Sequence, residues 1–286
     1  MGQSLKQIRN RIRSIASTRK VTQAMQMVSV AKLNRIDRAL VAIRPYFTAL
    51  ESIVTNLVAG QAKAPHPLFI RNIQKDTVIL GVITSDSGLC GMYNHEIISR
   101  AEEFIRQRGS DKVKLVCIGK KGWQHFKKYP GAQILKSYLG LNGRYNEAVT
   151  KELADYLVSK FISGQASEVY LAYTHYQTAF IHRPTLVKLL HLEFGAPKKQ
   201  ERYLLEPDLN AILEEIAPKY IQTKLKFLFL EAFATEHAAR TIAMKTATEN
   251  AADLLEKLEL WKNKIRQANI TQEIMEIVSS SEALKG

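Results

Sequence analysis

Met244-Lys-Thr-Ala-Thr248-Glu-Asn-Ala251-Ala-Asp-Leu-Leu255-Glu-Lys-Leu258-Glu-Leu-Trp-Lys262-Asn-Lys-Ile265 is the stretch that decides the architecture. Met244, Ala251, Leu258 and Ile265 stand seven apart, with Thr248 and Leu255 interleaved, which is the heptad spacing of a left-handed coiled coil. The seam is weak, because Thr248, Ala251, Lys262 and Asn269 fill it with small and polar groups. Such a helix is either buried within a bundle or, as the weak seam favours, enclosed by another protein. Around this stretch the chain runs from Tyr220 to Val278 without glycine or proline. At about 1.5 Å per residue the helix approaches about 90 Å, longer than a small domain is wide. Upstream, Pro218 predicts a break or kink.

The other end of the chain reads the same way. From Gln3 to Ala59 there is one proline, Pro45, and no glycine, with Leu5, Ile8, Ile12, Ile15, Met25, Val28, Ile36, Leu40 and Ile43 at helical spacing. Two long helices at opposite ends pair most economically as an antiparallel coiled coil, leaving the middle as a separate body. Arg19 falls inside the N-terminal apolar stripe. A buried unpaired charge is costly, so Arg19 either faces a partner or snorkels to water.

In the middle, the period changes. Thr77–Ser85 and Lys112–Gly119 read as short buried strands, each followed by a helix, Asn94–Arg108 and Gly122–Tyr129. Asn146–Ile162 reads as a third helix, Glu168–Tyr176 as a third strand and Leu186–Glu193 as a fourth, the last two close enough for a hairpin. The alternation predicts a Rossmann-like α/β body. The expected organisation is residues 1–59 as an N-terminal shaft helix, 60–206 as the α/β domain and 207–286 as a C-terminal shaft helix.

Composition narrows the function. The 286 residues are 46% hydrophobic and 24% charged, which excludes a disordered or fibrous chain. A net charge of +14 implies an anionic partner. The excess is uneven: up to Ala59 there are ten basic residues against two acidic, from Pro207 onward ten against twelve. No apolar run approaches the roughly 20 residues that cross a bilayer. Cys90 and Cys117 form no disulfide framework, which suits a reducing compartment.

Chemistry in the middle is sparse. The loop Ser85-Asp-Ser-Gly-Leu-Cys-Gly91 follows the first strand, where an open α/β sheet would hold a ligand. It is neither a nucleophile elbow nor a phosphate loop, and Cys90 with His95 lacks the third, orienting group of a thiol enzyme. No histidine spacing suggests a metal. A tight strand-to-helix turn is the favoured reading. A rival binding function would place Lys6, Arg9, Arg13 and Lys20, on one helix face, against nucleic-acid phosphates, but no base-stacking aromatics are interleaved with them.

Motifs along nearly the whole chain resemble the gamma subunit of bacterial rotary ATP synthases. Thr18-Arg-Lys-Val-Thr-Gln-Ala-Met25-Gln-Met-Val-Ser29 is similar to that family's first helix, and Ser85–Asn94 to its glycine loop. Thr235-Glu-His-Ala-Ala-Arg240-Thr-Ile-Ala-Met-Lys-Thr-Ala-Thr-Glu-Asn-Ala251 and Arg266-Gln-Ala-Asn-Ile-Thr-Gln-Glu-Ile-Met-Glu-Ile-Val278 resemble its C-terminal helix. Ser87 stands where the family usually has Arg, Met92 where it has Gly, and Ser280-Ser281 where it has Gly-Ala.

The resemblance implies a central stalk that carries torque between a membrane-embedded c-subunit ring and a catalytic hexamer of alpha and beta subunits, next to a small epsilon stalk subunit. It implies a non-catalytic chain without cofactor, metal or nucleic acid, peripheral on the cytoplasmic face of a bacterial inner membrane, with no presequence. Met25, Arg240, Gln267, Thr271 and Glu273 are the implied contacts with the hexamer. Glu201, Tyr203 and Glu206 are the implied contacts with the membrane ring and the small stalk subunit.

Overall fold

The computed structural model describes residues 5–59, 66–70, 76–178, 182–194, 205–206 and 208–283. In chain order the elements are α1 (Leu5–Ala59), a 3₁₀ turn (Pro67–Phe69), β1 (Val78–Ile83), α2 (Tyr93–Arg108), β2 (Val113–Ile118), α3 (Lys120–Phe126) and β3 (Gln133–Tyr138). Then come α4 (Glu147–Ile162), β4 (Glu168–Tyr176), β5 (His182–Leu190) and α5 (Leu209–Ala283). The chain divides into two compact units, one of residues up to 28 together with those from 241 on, the other of residues 29–240. Both long helices contribute to each.

The first unit is the helix pair that the heptads predict. Met244, Ala251 and Leu258 are buried on α5, and Leu255, Lys262 and Ile265 are half-buried between and beyond them. Ile8 and Thr22 are their buried counterparts on α1. The pairing is antiparallel: the Thr22 and Thr248 hydroxyls lie 2.8 Å apart, while Arg9 and Arg13 share a groove with Lys262 and Arg266. Arg19, inside the stripe by spacing, is exposed.

The second unit is the α/β body. Its sheet runs β3-β2-β1-β4-β5, parallel through the first four strands and closed by an antiparallel β4–β5 hairpin, as expected. β1 is buried along its whole length because helices cover both faces. Ile79 and Ile83 join a core with α4 and the buried sides of α1 and α5, and Val78, Leu80 and Val82 join another with α2 and α3. This two-sided burial is why β1 reads as a continuous apolar run and β2 as one broken only by Lys114.

Two expectations are corrected. β3 was not foreseen, and the strand expected as third is β4; as an edge strand β3 alternates exposed and half-buried residues up to the buried Tyr138 and so offers no apolar run to read. Of the break or kink expected at Pro218, the break does not occur, since α5 passes through it from Leu209. A proline inside a helix costs about 3 kcal/mol, which here is offset by burial of Leu213, Ala217, Tyr220 and Ile221 around it.

Candidate functional site

The strand order reverses beside β1, since the connections from β1 to β3 run one way across the sheet and that from β3 to β4 runs back. The loop after β1 therefore sits where an open α/β sheet would take a ligand. It is internally braced. Asn94, in the first turn of α2, accepts the Ser85 amide through Oδ1 at 2.9 Å, and its Nδ2 lies 3.1 Å from the Cys90 sulfur. Leu89 (φ 63°) and Gly91 (φ 57°) turn the chain through the left-handed region. Cys90 is 2% exposed, and burial pushes its thiol pKa up, so the thiolate needed for nucleophilic chemistry is disfavoured.

The crevice above this loop is filled by α5. Every residue from 228 to 240 is buried, and the segment carries five polar side chains, Glu231, Thr235, Glu236, His237 and Arg240, in an otherwise apolar run. Buried polar groups need partners, and most of these reach across to the sheet. Arg240 Nη1 donates to Glu236 Oε1 at 2.8 Å. Its Nη2 donates to Ser87 Oγ at 3.1 Å and to the Ser87 and Gly88 carbonyls at 3.3 and 3.4 Å. His237 Nε2 lies 3.1 Å from the Gly143 carbonyl, and its Nδ1 lies 3.3 Å from Arg240 Nη1. That geometry requires a neutral ring with the proton on Nε2, in agreement with burial holding its pKa down at about 4. Gly143 has φ 63°, and a Cβ there would sit 2.5 Å from His237 Nε2, so glycine is required.

Further along the same face, the Tyr93 hydroxyl donates to the Ala232 carbonyl at 3.2 Å. Glu231 meets His175 Nδ1 at 2.9 Å, and the Thr235 hydroxyl donates to the Thr174 carbonyl at 3.3 Å. The edge that other α/β proteins offer to a ligand is thus used to grip the protein's own helix. Burial raises the carboxyl pKa of Glu236, and the Arg240 guanidinium opposes that shift.

Of the residues named from the sequence, Arg240 is in this network, its guanidinium spent on the glycine loop and Glu236. Met25 is half-buried in the helix pair. Gln267, Thr271 and Glu273 lie on the part of α5 where every residue from 266 to 281 is exposed, and Thr271 donates to the Gln267 carbonyl at 2.9 Å. Because Thr22 meets Thr248 in an antiparallel pair, Met25 lies level with residue 245, and Gln267 is about six turns further along α5. Glu206 is exposed; Glu201 and Tyr203 lie outside the described residues. Glu236, His237 and Gly143 were not singled out from sequence, although a run of charges in an apolar stretch was a usable signal.

Among the described residues no His, Cys, Asp and Glu cluster could hold a metal, and no helix is long and apolar enough to cross a membrane. Lys6, Arg9, Arg13 and Lys20 are all exposed on α1.

Comparison with known proteins agrees with this architecture. The ATP synthase family model matches residues 4–284. The ATP synthase gamma chains of Pelotomaculum thermopropionicum and Moorella thermoacetica are 37% and 38% identical, covering 99% and 98% of this chain and 99% of each relative. The fold is shared with a chain of the Tetrahymena thermophila mitochondrial ATP synthase central stalk and c-ring (TM-score 0.61, 21% identity, 79% of this chain and 99% of that one). It is shared also with a chain of the Euglena gracilis mitochondrial ATP synthase rotor (TM-score 0.60, 16% identity, 93% and 98%). With its paired terminal helices, its gripped α/β body and relatives matched from end to end, the chain belongs to the ATP synthase gamma chain family.

Proposed function

We propose that the helix pair of this non-catalytic stalk subunit turns inside a ring of alternating alpha and beta subunits, while the α/β body rides on the membrane-embedded c-subunit ring beside a small epsilon subunit. A single asymmetric shaft cannot touch three equivalent ring sites equivalently. Each site meets different contacts, and differential contact is what shifts conformational populations. Chemistry stays in the ring, and this chain carries torque that couples proton flow to ATP synthesis.

The observation that carries this reading is the contrast along α5: residues 228–240 are buried on every side, whereas residues 266–281 are exposed on every side and include Ile270, Ile274, Met275, Ile277 and Val278. An apolar helix end stays soluble when something surrounds it. The basic groove of Arg9, Arg13, Lys262 and Arg266 supports acidic partners. Met25, Gln267, Thr271 and Glu273 are proposed as direct contacts with the hexamer, and Arg240 as acting through the loop it holds. Glu201, Tyr203 and Glu206 are proposed as contacts with the membrane ring and the small stalk subunit. The division into shaft helices 1–59 and 207–286 around a body of 60–206 is part of the proposal, as is a place on the cytoplasmic face of a bacterial membrane.

Co-expression with the alpha and beta subunits of the same organism tests this. The expected result is a complex with one copy of this chain per three beta subunits, whose steady ATP hydrolysis depends on it. A chain that purifies alone and binds DNA with a steep salt dependence would overturn the reading and move attention to Lys6, Arg9, Arg13 and Lys20.

A further inference from the structure

The body's hold on α1 and α5 passes through a loop whose shape is costly. After β3, Gly140 (φ 83°), Asn142 (φ 50°) and Gly143 (φ 63°) all lie in the left-handed region, and Asn142 is not glycine. This loop makes two reaches. The Asn142 carbonyl accepts Lys32 Nζ of α1 at 3.2 Å, and the Gly143 carbonyl meets His237 Nε2 of α5 at 3.1 Å. Besides its own Asn142 Nδ2–Gly140 and Arg144–Leu141 hydrogen bonds, the loop is held by one carboxylate from another loop. Asp86 Oδ1 accepts the amides of Lys120 and Gly140, each at 3.0 Å, and Oδ2 accepts the amide of Asn142 at 2.7 Å. A single side chain therefore gathers the loops that follow β1, β2 and β3, and the next two residues, Ser87 and Gly88, take Arg240 of α5.

We propose that Asp86 is a positioning residue for torque transfer: by fixing the loop of residues 140–143 against Lys32 and His237, it sets how rigidly the α/β body and the two long helices turn together. This rests on the stalk reading above. A carboxylate suits the task because it accepts at both oxygens, and all three groups it faces are backbone N–H donors. Asparagine has one acceptor atom, so one of its two ends would confront an N–H with an NH₂ group.

The test compares wild type, Asp86→Asn and Lys32→Met in two measurements. Amide hydrogen exchange on the full chain is expected to rise at Gly140 and Asn142 in Asp86→Asn, while the amides of β1 and β2 stay protected. In the complete membrane-bound synthase, ATP hydrolysis without a proton gradient should stay close to wild type, while the protons moved per ATP against a gradient fall about fivefold. Lys32→Met, which removes one reach and leaves the loop interior intact, should show a smaller loss of the same kind and covers the case in which Asp86→Asn fails to fold. A double variant no worse than Asp86→Asn alone would place both residues on one path. Unchanged coupling in both variants, within a synthase whose wild-type form assembles and pumps, overturns the role of Asp86 and leaves the stalk reading standing. Failure of the wild-type chain to assemble overturns both.

Discussion

The same two helices behave differently in the two compact units. Between residues 5–28 and 241–283 they meet along a thin seam of small and polar residues, with Ala251, Thr248 and Lys262 where a stable zipper would carry leucines. Between residues 29 and 240 they are part of a thick core, and α5 is buried on all sides from Leu228 to Arg240. The seam takes its order mainly from periodicity, with the Thr22–Thr248 hydroxyl pair added to it, whereas the buried stretch takes its order from specific polar pairs. In the proposed stalk, the first property suits helices that present changing faces to a surrounding ring, and the second suits helices held fast within the body.

The sharpest way to break this comparison is to remove the strongest pair. Arg240→Met leaves Glu236, 1% exposed, without its guanidinium, and is expected to cost about 3 kcal/mol, the low end for half of a buried ion pair. Neutralisation of Glu236, whose pKa burial already raises, holds the cost at that end. Urea denaturation followed by tyrosine and tryptophan fluorescence measures it, and a loss below about 1 kcal/mol would mean the pair is dispensable. Next comes Gly143→Ala, which adds a Cβ 2.5 Å from His237 Nε2 at a φ of 63°. An expected loss of about 2 kcal/mol follows from backbone strain and displacement of the ring.

A pH experiment sharpens the same contrast. His237 keeps a pKa of about 4 in the folded body against about 6.5 in an unfolded chain. Between those values the unfolded chain binds a proton that the folded one refuses, so stability falls as pH drops from about 6.5 toward about 4, by about 1 to 3 kcal/mol in all. In His237→Gln, which keeps a donor for the Gly143 carbonyl, that part of the slope should vanish; an identical slope would assign the titration elsewhere. The smallest effect belongs to the seam. Thr22→Val with Thr248→Val removes the hydroxyl pair at 2.8 Å, and replacing both partners should change stability by less than about 1 kcal/mol. A large loss there would show the seam to be as specific as the body.

What could be read from the sequence follows the same division. Heptad spacing found the α5 side of the seam from Met244 to Ile265, because burial there depends on position along one helix, but on α1 Val28, counted in the stripe, is exposed and Thr22, outside it, is buried. Largely apolar runs found β1 and β2 because both of their faces are covered. β3 escaped as a half-exposed edge, and of the break or kink expected at Pro218 the break does not occur, because packing from Leu213 to Ile221 overrides a local penalty. The polar network was the least legible part. Arg240 meets Ser87 across 153 positions and His237 meets Gly143 across 94, and no local pattern reports a pairing made by the fold. Resemblance to a family picked out Arg240, but the residues that surround it needed the structure.

The proposed function has this chain turn relative to the catalytic ring. Cys90 and Cys117 are both buried, so a cysteine introduced at the exposed position Lys151 on α4 can carry a probe selectively. With the catalytic ring fixed to a surface and ATP supplied, the account predicts that a bead or gold particle on Lys151→Cys rotates in one direction, three steps to a turn. A bead that stays still while the same complexes hydrolyse ATP would contradict it.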